Sequence, residues 1–152
     1  MARTPPSSAT DDVFAAQTPE VAVVRSFLAA LELPDVDRAL RLVDDDVVYT
    51  NVSLPTVRGR DALGRLLRRF VRTGGELRIE THRIAGHGPV VLTERTDTLT
   101  IGPLRTSFWV CGTFEVHDGR VTLWRDYFDW ADITVATLRG LAGIVVPALR
   151  RP

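Results

Sequence analysis

Lysine is absent from this 152-residue chain, in which all 19 basic residues are arginine and 19 acidic residues bring the formal net charge to zero. A chain without excess positive charge lacks the attraction on which nucleic-acid or anionic-membrane binding depends. The sequence therefore predicts no nucleic-acid partner. Arginine also has a chemical consequence, because it stays charged when buried and can bridge two carboxylates with one planar fork.

Cysteine occurs once, as Cys111, which excludes an internal disulfide framework and a cysteine-rich zinc site. The histidines His82, His87 and His117 do not fall at metal-ligand spacing, so we predict no metal site. Walker loops, the Rossmann fingerprint and the nucleophile elbow are missing as well.

Long apolar runs are also lacking. The stretch Leu141–Leu149 is too short to span a bilayer and contains Gly143 and Pro147, so we predict no stable membrane insertion. Residues 1–17 are rich in Pro, Ser, Thr and Asp and have no run of signal-peptide length. We expect a disordered leader over residues 1–17 and a single cytoplasmic domain over residues 18–152.

Along the chain, the spacing of apolar residues changes from a helical pattern to one typical of β-strands. Thr18 can cap a first helix, and Asp35 can cap a short second helix that carries Val36, Leu40 and Val43. Apolar spacing from Leu63 to Phe70 indicates a third helix that ends at Gly74-Gly75. The predicted strands are Asp46–Val52, Glu76–Ala85, Val90–Ile101, Leu104–Val116 and Arg120–Asp129, and a last helix covers about Ile133–Leu149. Short turns link the last four strands, which predicts an antiparallel meander. The fold class is α+β, with helices over one face of a curved sheet and a pocket at its open end.

Charged residues occupy the less polar face of one predicted strand. Val91, Thr93, Arg95, Asp97 and Leu99 alternate with a face that is richer in threonine, so Arg95 and Asp97 are expected inside. Buried charges need partners, which favours a shared network. Taken alone, a salt bridge on an exposed face is the commoner arrangement.

Two further strands carry polar groups whose direction periodicity leaves open. On the last strand, Thr122, Trp124, Asp126 and Phe128 share one face, and if that face is inside, Asp126 is a second inward carboxylate. Two carboxylates around one arginine could hold different protonation states, as a general base and a general acid require. The alternative is a mixed-charge edge strand.

Tyr49 and Asn51 share a face of the first predicted strand, where they could fix a water molecule. Alternatively, Tyr49 is a core aromatic residue and Asn51 begins a turn. Cys111 has no evident partner in the sequence and is expected as a small core residue.

Three motifs together resemble one family. Tyr49-x-Asn51, Glu94-Arg95-Thr-Asp97 and Trp124-Arg-Asp126-Tyr-Phe-Asp129 are similar in order and separation to the limonene-1,2-epoxide hydrolase family of the NTF2-like (SnoaL-like) superfamily. The similarity runs from about Thr18 to Leu149. Mycobacterial-type actinobacterial members resemble the chain most closely, including over Ile101–Arg105 and Phe108–Gly112.

The resemblance implies an NTF2-like cone, in which a strongly curved mixed sheet and about four helices enclose a deep apolar pocket, and it implies a homodimer. It also implies roles. Asp126 would take a proton from water held by Tyr49 and Asn51, Asp97 would protonate the epoxide oxygen, and Arg95 would lie between the carboxyls. The residues expected to contact substrate are Trp124, Phe128 and Leu99. The implied reaction turns a lipophilic epoxide and water into a vicinal diol without a covalent intermediate, metal or cofactor.

Two other functions remain open on the same fold. An isomerase, dehydratase or polyketide cyclase would use one carboxylate beside a carbonyl, but it would not need Arg95 and Asp97 opposite Asp126. A non-catalytic small-ligand-binding module would need none of these carboxylates. Terpene, fatty-acid and sterol epoxides are all compatible with the implied reaction.

Overall fold

The computed structural model describes residues 18–129 together with Ala131, Thr134, Val135, Thr137 and Leu138. Its elements, in chain order, are α1 (Pro19–Leu31), α2 (Val36–Leu40), β1 (Val43–Asn51), β2 (Val57–Arg58), α3 (Arg60–Arg72), β3 (Gly75–His87), β4 (Val90–Ile101), β5 (Leu104–His117) and β6 (Arg120–Tyr127). The predicted leader lies outside the described residues. Of the predicted C-terminal helix, Thr134, Val135, Thr137 and Leu138 are described, and they are helical.

The strands form one six-stranded mixed sheet in the order β2-β1-β6-β5-β4-β3. Strands β3 to β6 are antiparallel neighbours in sequence order, which confirms the predicted meander. Strand β1 instead pairs with β6 in parallel, and Tyr49 lies opposite Trp124 and Asn51 opposite Asp126. The Tyr49–Asn51 and Trp124–Asp129 motifs, which are far apart in the sequence, are therefore neighbours in the sheet.

Local chemistry determines where the helices begin. Thr18 caps α1 by accepting a hydrogen bond from the Val21 N–H, and Asp35 caps α2 by accepting from the Arg38 N–H, as the sequence predicts. The predicted second helix is too long at its end, because Val43 opens β1 opposite Val121 instead of extending the helix. Strand β1 thus begins three residues before the predicted Asp46.

Apolar side chains of α1 and the inner face of the sheet form the core. Phe27 is fully buried and packs edge-on against Trp124 and Phe114, with ring centroids 5.2 Å and 6.4 Å away. Leu63 of α3 is also fully buried. Helix α1 therefore fixes the position of Trp124, which lies two residues before Asp126.

Alternation along β4 agrees with the predicted faces, since Val91, Thr93, Arg95 and Asp97 are all buried. On the opposite face Leu92 is 54% exposed. Cys111 also belongs to this outer face, where it is half-buried rather than a core residue. It lies there because Val110 and Gly112, its neighbours on β5, take the inward positions.

Candidate active site

A cavity of about 580 Å³ lies between the inner face of the sheet and the helices. Its walls are mostly apolar, and they include Ala30, Leu31, Val36, Leu66, Leu67, Phe70, Val71, Leu77, Leu99, Phe108, Val110, Trp124 and Phe128. Polar lining comes from Tyr49, Asn51, Asp97 and Asp126, and from Glu32 and Glu76. An apolar chamber with a few convergent polar groups is typical of a small-molecule site.

The guanidinium of Arg95 connects two of these carboxyls. Its Nε donates to both Asp97 oxygens, at 2.9 Å and 3.1 Å, and its Nη2 donates to Asp126 Oδ2 at 2.6 Å. The side chain is 1% exposed, so this is a buried charge network rather than a surface salt bridge. The alternative that Arg95 and Asp97 form a salt bridge on an exposed face is therefore wrong for this pair.

Two more contacts hold the same guanidinium. Thr93 Oγ1 accepts from Nη1 at 3.2 Å. The Arg95 Cζ also lies 5.9 Å from the ring centroid of Phe114, within reach of a cation–π interaction. Each of the three guanidinium nitrogens therefore has a hydrogen-bond acceptor, which fixes the orientation of the group.

Asp126 is buried, and one of its carboxyl oxygens forms no hydrogen bond within the described part of the chain. Burial raises the pKa of its carboxyl, and the nearby Arg95 charge and hydrogen bond offset part of that rise. The indole of Trp124 also helps to lower this pKa. By distance and angle, however, neither Asp126 Oδ1 nor Trp124 Nε1 forms a hydrogen bond with any residue that the structure describes, and both atoms are buried. Oδ1 is thus the oxygen that remains able to accept a proton.

Asp97 has a raised pKa for related reasons. Burial is the largest cause, Arg95 opposes it, and the negative charge of Glu32 adds to it. Arg95 itself stays protonated, because the two carboxylates outweigh the burial that would lower its pKa. One positive charge shared by two buried carboxyls favours a state in which one carboxyl keeps its proton.

Tyr49 and Asn51 complete the polar side of the cavity. The Tyr49 ring lies over Trp124, with centroids 4.0 Å apart and planes tilted by 34°. Burial, and then the Asp126 charge, raise the pKa of the Tyr49 hydroxyl well above its usual value, while the Asn51 side chain lowers it in part. The hydroxyl is therefore neutral at physiological pH and able to donate a hydrogen bond.

The structure brings together every site residue named from the sequence. Arg95 lies behind the carboxyls. The other predicted site residues line the cavity: Asp126, Asp97, Tyr49, Asn51, Trp124, Phe128 and Leu99. The face of β6 that the sequence left open is the Trp124–Asp126 face, since both residues are buried.

Several residues around the site were not singled out by the sequence analysis. The α3 side chains Leu66, Leu67, Phe70 and Val71 line the cavity, and their helical spacing was visible but did not say what they face. Thr93 was expected on the inner face of its strand, although not in the site. Gly112 was named in the Phe108–Gly112 stretch of the resemblance and lay within a predicted strand, but no role in the site was given to it. The signal that could have marked it is its position as a glycine inside a long strand.

The described residues show neither a metal cluster nor a membrane-spanning helix. No three His, Cys, Asp or Glu side chains there gather into a set that could hold a metal ion. In the same part of the chain, no helix has the length and apolar character needed to cross a membrane.

Comparison with known proteins gives a family match over most of the chain. The family model described as the limonene-1,2-epoxide hydrolase catalytic domain matches residues 18–139. Epoxide hydrolase EphG of Mycobacterium tuberculosis is 53% identical over 128 residues, which cover 84% of this chain and 85% of that protein. A solved structure of an M. tuberculosis epoxide hydrolase that resembles limonene-1,2-epoxide hydrolase matches with a TM-score of 0.81 and 49% identity, covering 85% of this chain and 96% of the other.

More distant structures share the fold alone. An NTF2-like protein of unknown function from Burkholderia pseudomallei has a TM-score of 0.70 at 18% identity, covering 80% of this chain and 98% of its own. A putative polyketide cyclase from Xanthomonas campestris has a TM-score of 0.65 at 20% identity, covering 78% of this chain and 96% of its own. These likenesses establish an NTF2-like fold and carry no information about activity.

Proposed function

The chain belongs to the limonene-1,2-epoxide hydrolase family, and on that premise we propose that it hydrolyses a lipophilic epoxide to a vicinal diol by one-step general acid/base attack of water. The observation that carries this proposal is the pair of buried carboxyls, Asp97 and Asp126, hydrogen-bonded to one guanidinium in an apolar cavity. Ring opening needs a proton at the epoxide oxygen while a nucleophile attacks carbon, and two such carboxyls can supply both at once.

Asp126 is the general base in this proposal. Its Oδ2 is occupied by Arg95, whereas Oδ1 forms no hydrogen bond within the described residues and can accept a proton from water. Asn51 lies directly opposite Asp126 in the parallel pairing of β1 with β6, and Tyr49 lies on the same face. The Tyr49 hydroxyl and the Asn51 amide can thus hold the attacking water beside Oδ1.

Asp97 is the general acid. It accepts two hydrogen bonds from Arg95 Nε and lines the cavity, while burial and the Glu32 charge raise its pKa and favour the protonated form. Donation of that proton to the epoxide oxygen avoids a free alkoxide in an apolar pocket. The proton that Asp126 receives and the proton that Asp97 loses balance, so a return transfer through solvent restores the enzyme.

Water is the nucleophile, and its oxygen becomes one of the two diol oxygens. Donor, acceptor and nucleophile all come from the named side chains and from water, so the proposed route uses no metal and no cofactor. An epoxide with a bulky hydrocarbon body suits the cavity, because the walls contributed by α3, Leu99, Phe108 and Phe128 are apolar. Terpene, fatty-acid and sterol epoxides all belong to this class.

We also propose a homodimer. The outer face of the sheet exposes Leu92, Trp109 and Tyr127 at 54%, 47% and 40%. Large apolar side chains clustered on one face are typical of an association surface. A second copy of the chain would cover them.

The proposed reaction is tested by turnover of epoxides of graded size, with diol detected by mass spectrometry. We expect Asp126→Asn and Asp97→Asn to lower kcat by about 10³-fold or more, since each removes one of two coupled proton transfers. The matched control is Asp118→Asn, which changes an exposed carboxyl in the turn between β5 and β6. It should turn over at the wild-type rate.

Single-turnover hydrolysis in isotopically labelled water distinguishes direct attack from a covalent route. Direct attack places the label in the diol in the first turnover, whereas attack by a carboxylate oxygen leaves it unlabelled. Near-wild-type turnover of Asp126→Asn would show that the assigned base is wrong. Failure of the wild-type protein on every epoxide tried would reject the reaction itself.

A further inference from the structure

We propose that Gly112 and Thr93 are positioning residues: the missing side chain at Gly112 leaves the passage through which Arg95 reaches Asp126, and the Thr93 hydroxyl holds the guanidinium in that passage. This inference rests on the proposed function, because its consequence is a correctly placed general base. Neither residue was identified as part of the site from the sequence.

The register of the sheet places these residues in one row. Thr93 on β4 lies opposite Gly112 on β5, Gly112 lies opposite Asp126 on β6, and Asp126 lies opposite Asn51 on β1. Thr93, Gly112 and Asp126 are all buried, and Asn51 lines the cavity. The proposed base and one of its water-holding partners thus share a row with a glycine and a threonine.

Arg95 reaches this row from the next inward position on β4. Strands are about 4.8 Å apart, so Asp126 lies two strand spacings, roughly 10 Å, across the sheet from β4. The guanidinium must therefore cross β5 to donate to Asp126 Oδ2. The inward residues of β5 on either side of Gly112 are Val110 and Phe114, which are both buried and would obstruct the crossing.

A side chain at position 112 would occupy the crossing point. A Cβ built on Gly112 would lie against Arg95 Nη1, 2.6 Å from Thr93 Oγ1 and 3.0 Å from Asp126 Oδ1. These distances are too short for an undisturbed alanine, and the atoms met are the buried ends of the network itself. Glycine inside a strand usually weakens the strand, so its presence here indicates a close approach by another group.

Thr93 supplies the remaining hydrogen bond of the guanidinium. Nε and Nη2 are held by the two carboxyls, and Nη1 donates to Thr93 Oγ1 at 3.2 Å. The same hydroxyl donates to the backbone carbonyl of Gly112, 3.5 Å away. Thr93 therefore links the guanidinium to the strand segment that it crosses.

Loss of either feature should shift Arg95 away from Asp126. We expect Gly112→Ala and Thr93→Val to lower kcat by about 10²-fold with a much smaller change in KM, because a misplaced base affects the chemical step more than binding. Thr93→Ser keeps the hydroxyl and should recover most of the activity. The matched control is Thr113→Val, on the outward face of β5 next to Gly112.

A second measurement does not depend on turnover. In protein labelled at the aspartate carboxyl carbons, NMR titration follows Asp126 directly. The Arg95 charge lowers the Asp126 pKa, so we expect its apparent pKa to rise in Gly112→Ala, and by a smaller amount in Thr93→Val. Thr93→Ser and Thr113→Val should titrate as the wild type does.

The two readouts separate this inference from the proposed reaction. If the wild type hydrolyses no epoxide but the titrations shift as expected, the proposed function fails and the positioning role holds. A folded Gly112→Ala protein with wild-type kcat and an unchanged Asp126 titration would overturn the inference. If Gly112→Ala does not fold, the comparison of Thr93→Val with Thr93→Ser tests the inference. Equal kcat values and equal Asp126 titrations in those two variants would overturn the inference.

Discussion

Asp97 and Asp126 hydrogen-bond to different nitrogens of one guanidinium, Arg95 Nε at 2.9 Å and Arg95 Nη2 at 2.6 Å. The two carboxyls thus share a single positive charge, and burial raises the pKa of each. A coupled pair of this kind titrates as a unit, with one proton held more tightly than the other. The proposed reaction assigns the retained proton to Asp97, as the acid, and leaves Asp126 as the base.

The first prediction concerns the shape of the cation in this network. Arg95→Lys keeps a positive charge but loses the planar fork, so one ammonium cannot satisfy Asp97, Asp126 and Thr93 in the observed directions. We expect kcat to fall by about 10²–10³-fold, comparable to the removal of one preorganised donor. Steady-state kinetics measure the loss.

The control for that prediction is Arg83→Lys. Arg83 pairs with Glu94 on the outer face, and its side chain is 79% exposed. Exposed pairs contribute little, so this variant should keep the wild-type rate and stability. A large loss of kcat in Arg83→Lys, or an unchanged kcat in Arg95→Lys, would contradict a special role for the buried guanidinium.

Alternation along β4 was enough to predict that Arg95 and Asp97 point inward, because one face of the strand was clearly less polar than the other. The same reasoning could not orient β6, where Asp126 on one face is matched by Arg125 on the other. The parallel pairing with β1 decides that orientation, and parallel partners far apart in sequence leave no local signal.

Gly112 shows a different limit of sequence analysis. A glycine in a strand indicates that something approaches closely, but the approaching group comes from another strand and depends on register. The cavity walls contributed by α3 depend in the same way on how the helix packs. The amphipathic spacing of Leu66, Leu67 and Phe70 predicts a helix without indicating that its apolar face borders a cavity.

The second prediction concerns pH and Glu32. This residue lines the cavity and accepts a hydrogen bond from the Ile79 N–H at 2.8 Å, and its charge raises the pKa of Asp97. Glu32→Gln removes the charge and keeps the acceptor oxygen. The Asp97 pKa should therefore fall, so the general acid loses its proton, and the enzyme its activity, at a lower pH than in the wild type.

The measurement is the kcat/KM profile against pH, in which the alkaline limb reports the acid. Glu76→Gln is the matched control, since Glu76 also lines the cavity but is not among the groups that shift Asp97. An alkaline limb that stays in place in Glu32→Gln, or moves equally in Glu76→Gln, would contradict the prediction.

The third prediction links the site to stability. Because the folded-state pKa of Asp126 is raised above its unfolded value, the native state binds this proton more tightly than the unfolded chain does. The stabilisation is fully present below the unfolded pKa, about 3.9, and is lost as pH rises through the folded pKa. Asp126→Asn removes this dependence.

Urea unfolding between about pH 4 and pH 8 tests the sign. The free energy of unfolding of Asp126→Asn should increase relative to that of the wild type as pH rises, at the expense of catalysis. Asp118→Asn, in the exposed turn, serves as the reference for a change of one surface carboxyl. A free energy of unfolding of Asp126→Asn that instead falls relative to that of the wild type as pH rises would show that Asp126 is stabilised as the carboxylate.

The fourth prediction concerns the proposed homodimer. Trp109 is 47% exposed on the outer face of β5, and its indole N–H donates to Glu94 at 3.4 Å. Trp109→Arg places an additional charge on this face, where a symmetric partner would oppose it with the same charge. We expect light scattering after size exclusion to show a dimer for the wild type and a monomer for the variant at micromolar concentration. Ile101→Arg, which changes an exposed apolar residue at the end of β4, should remain dimeric; a dimeric Trp109→Arg protein would place the subunit contact elsewhere.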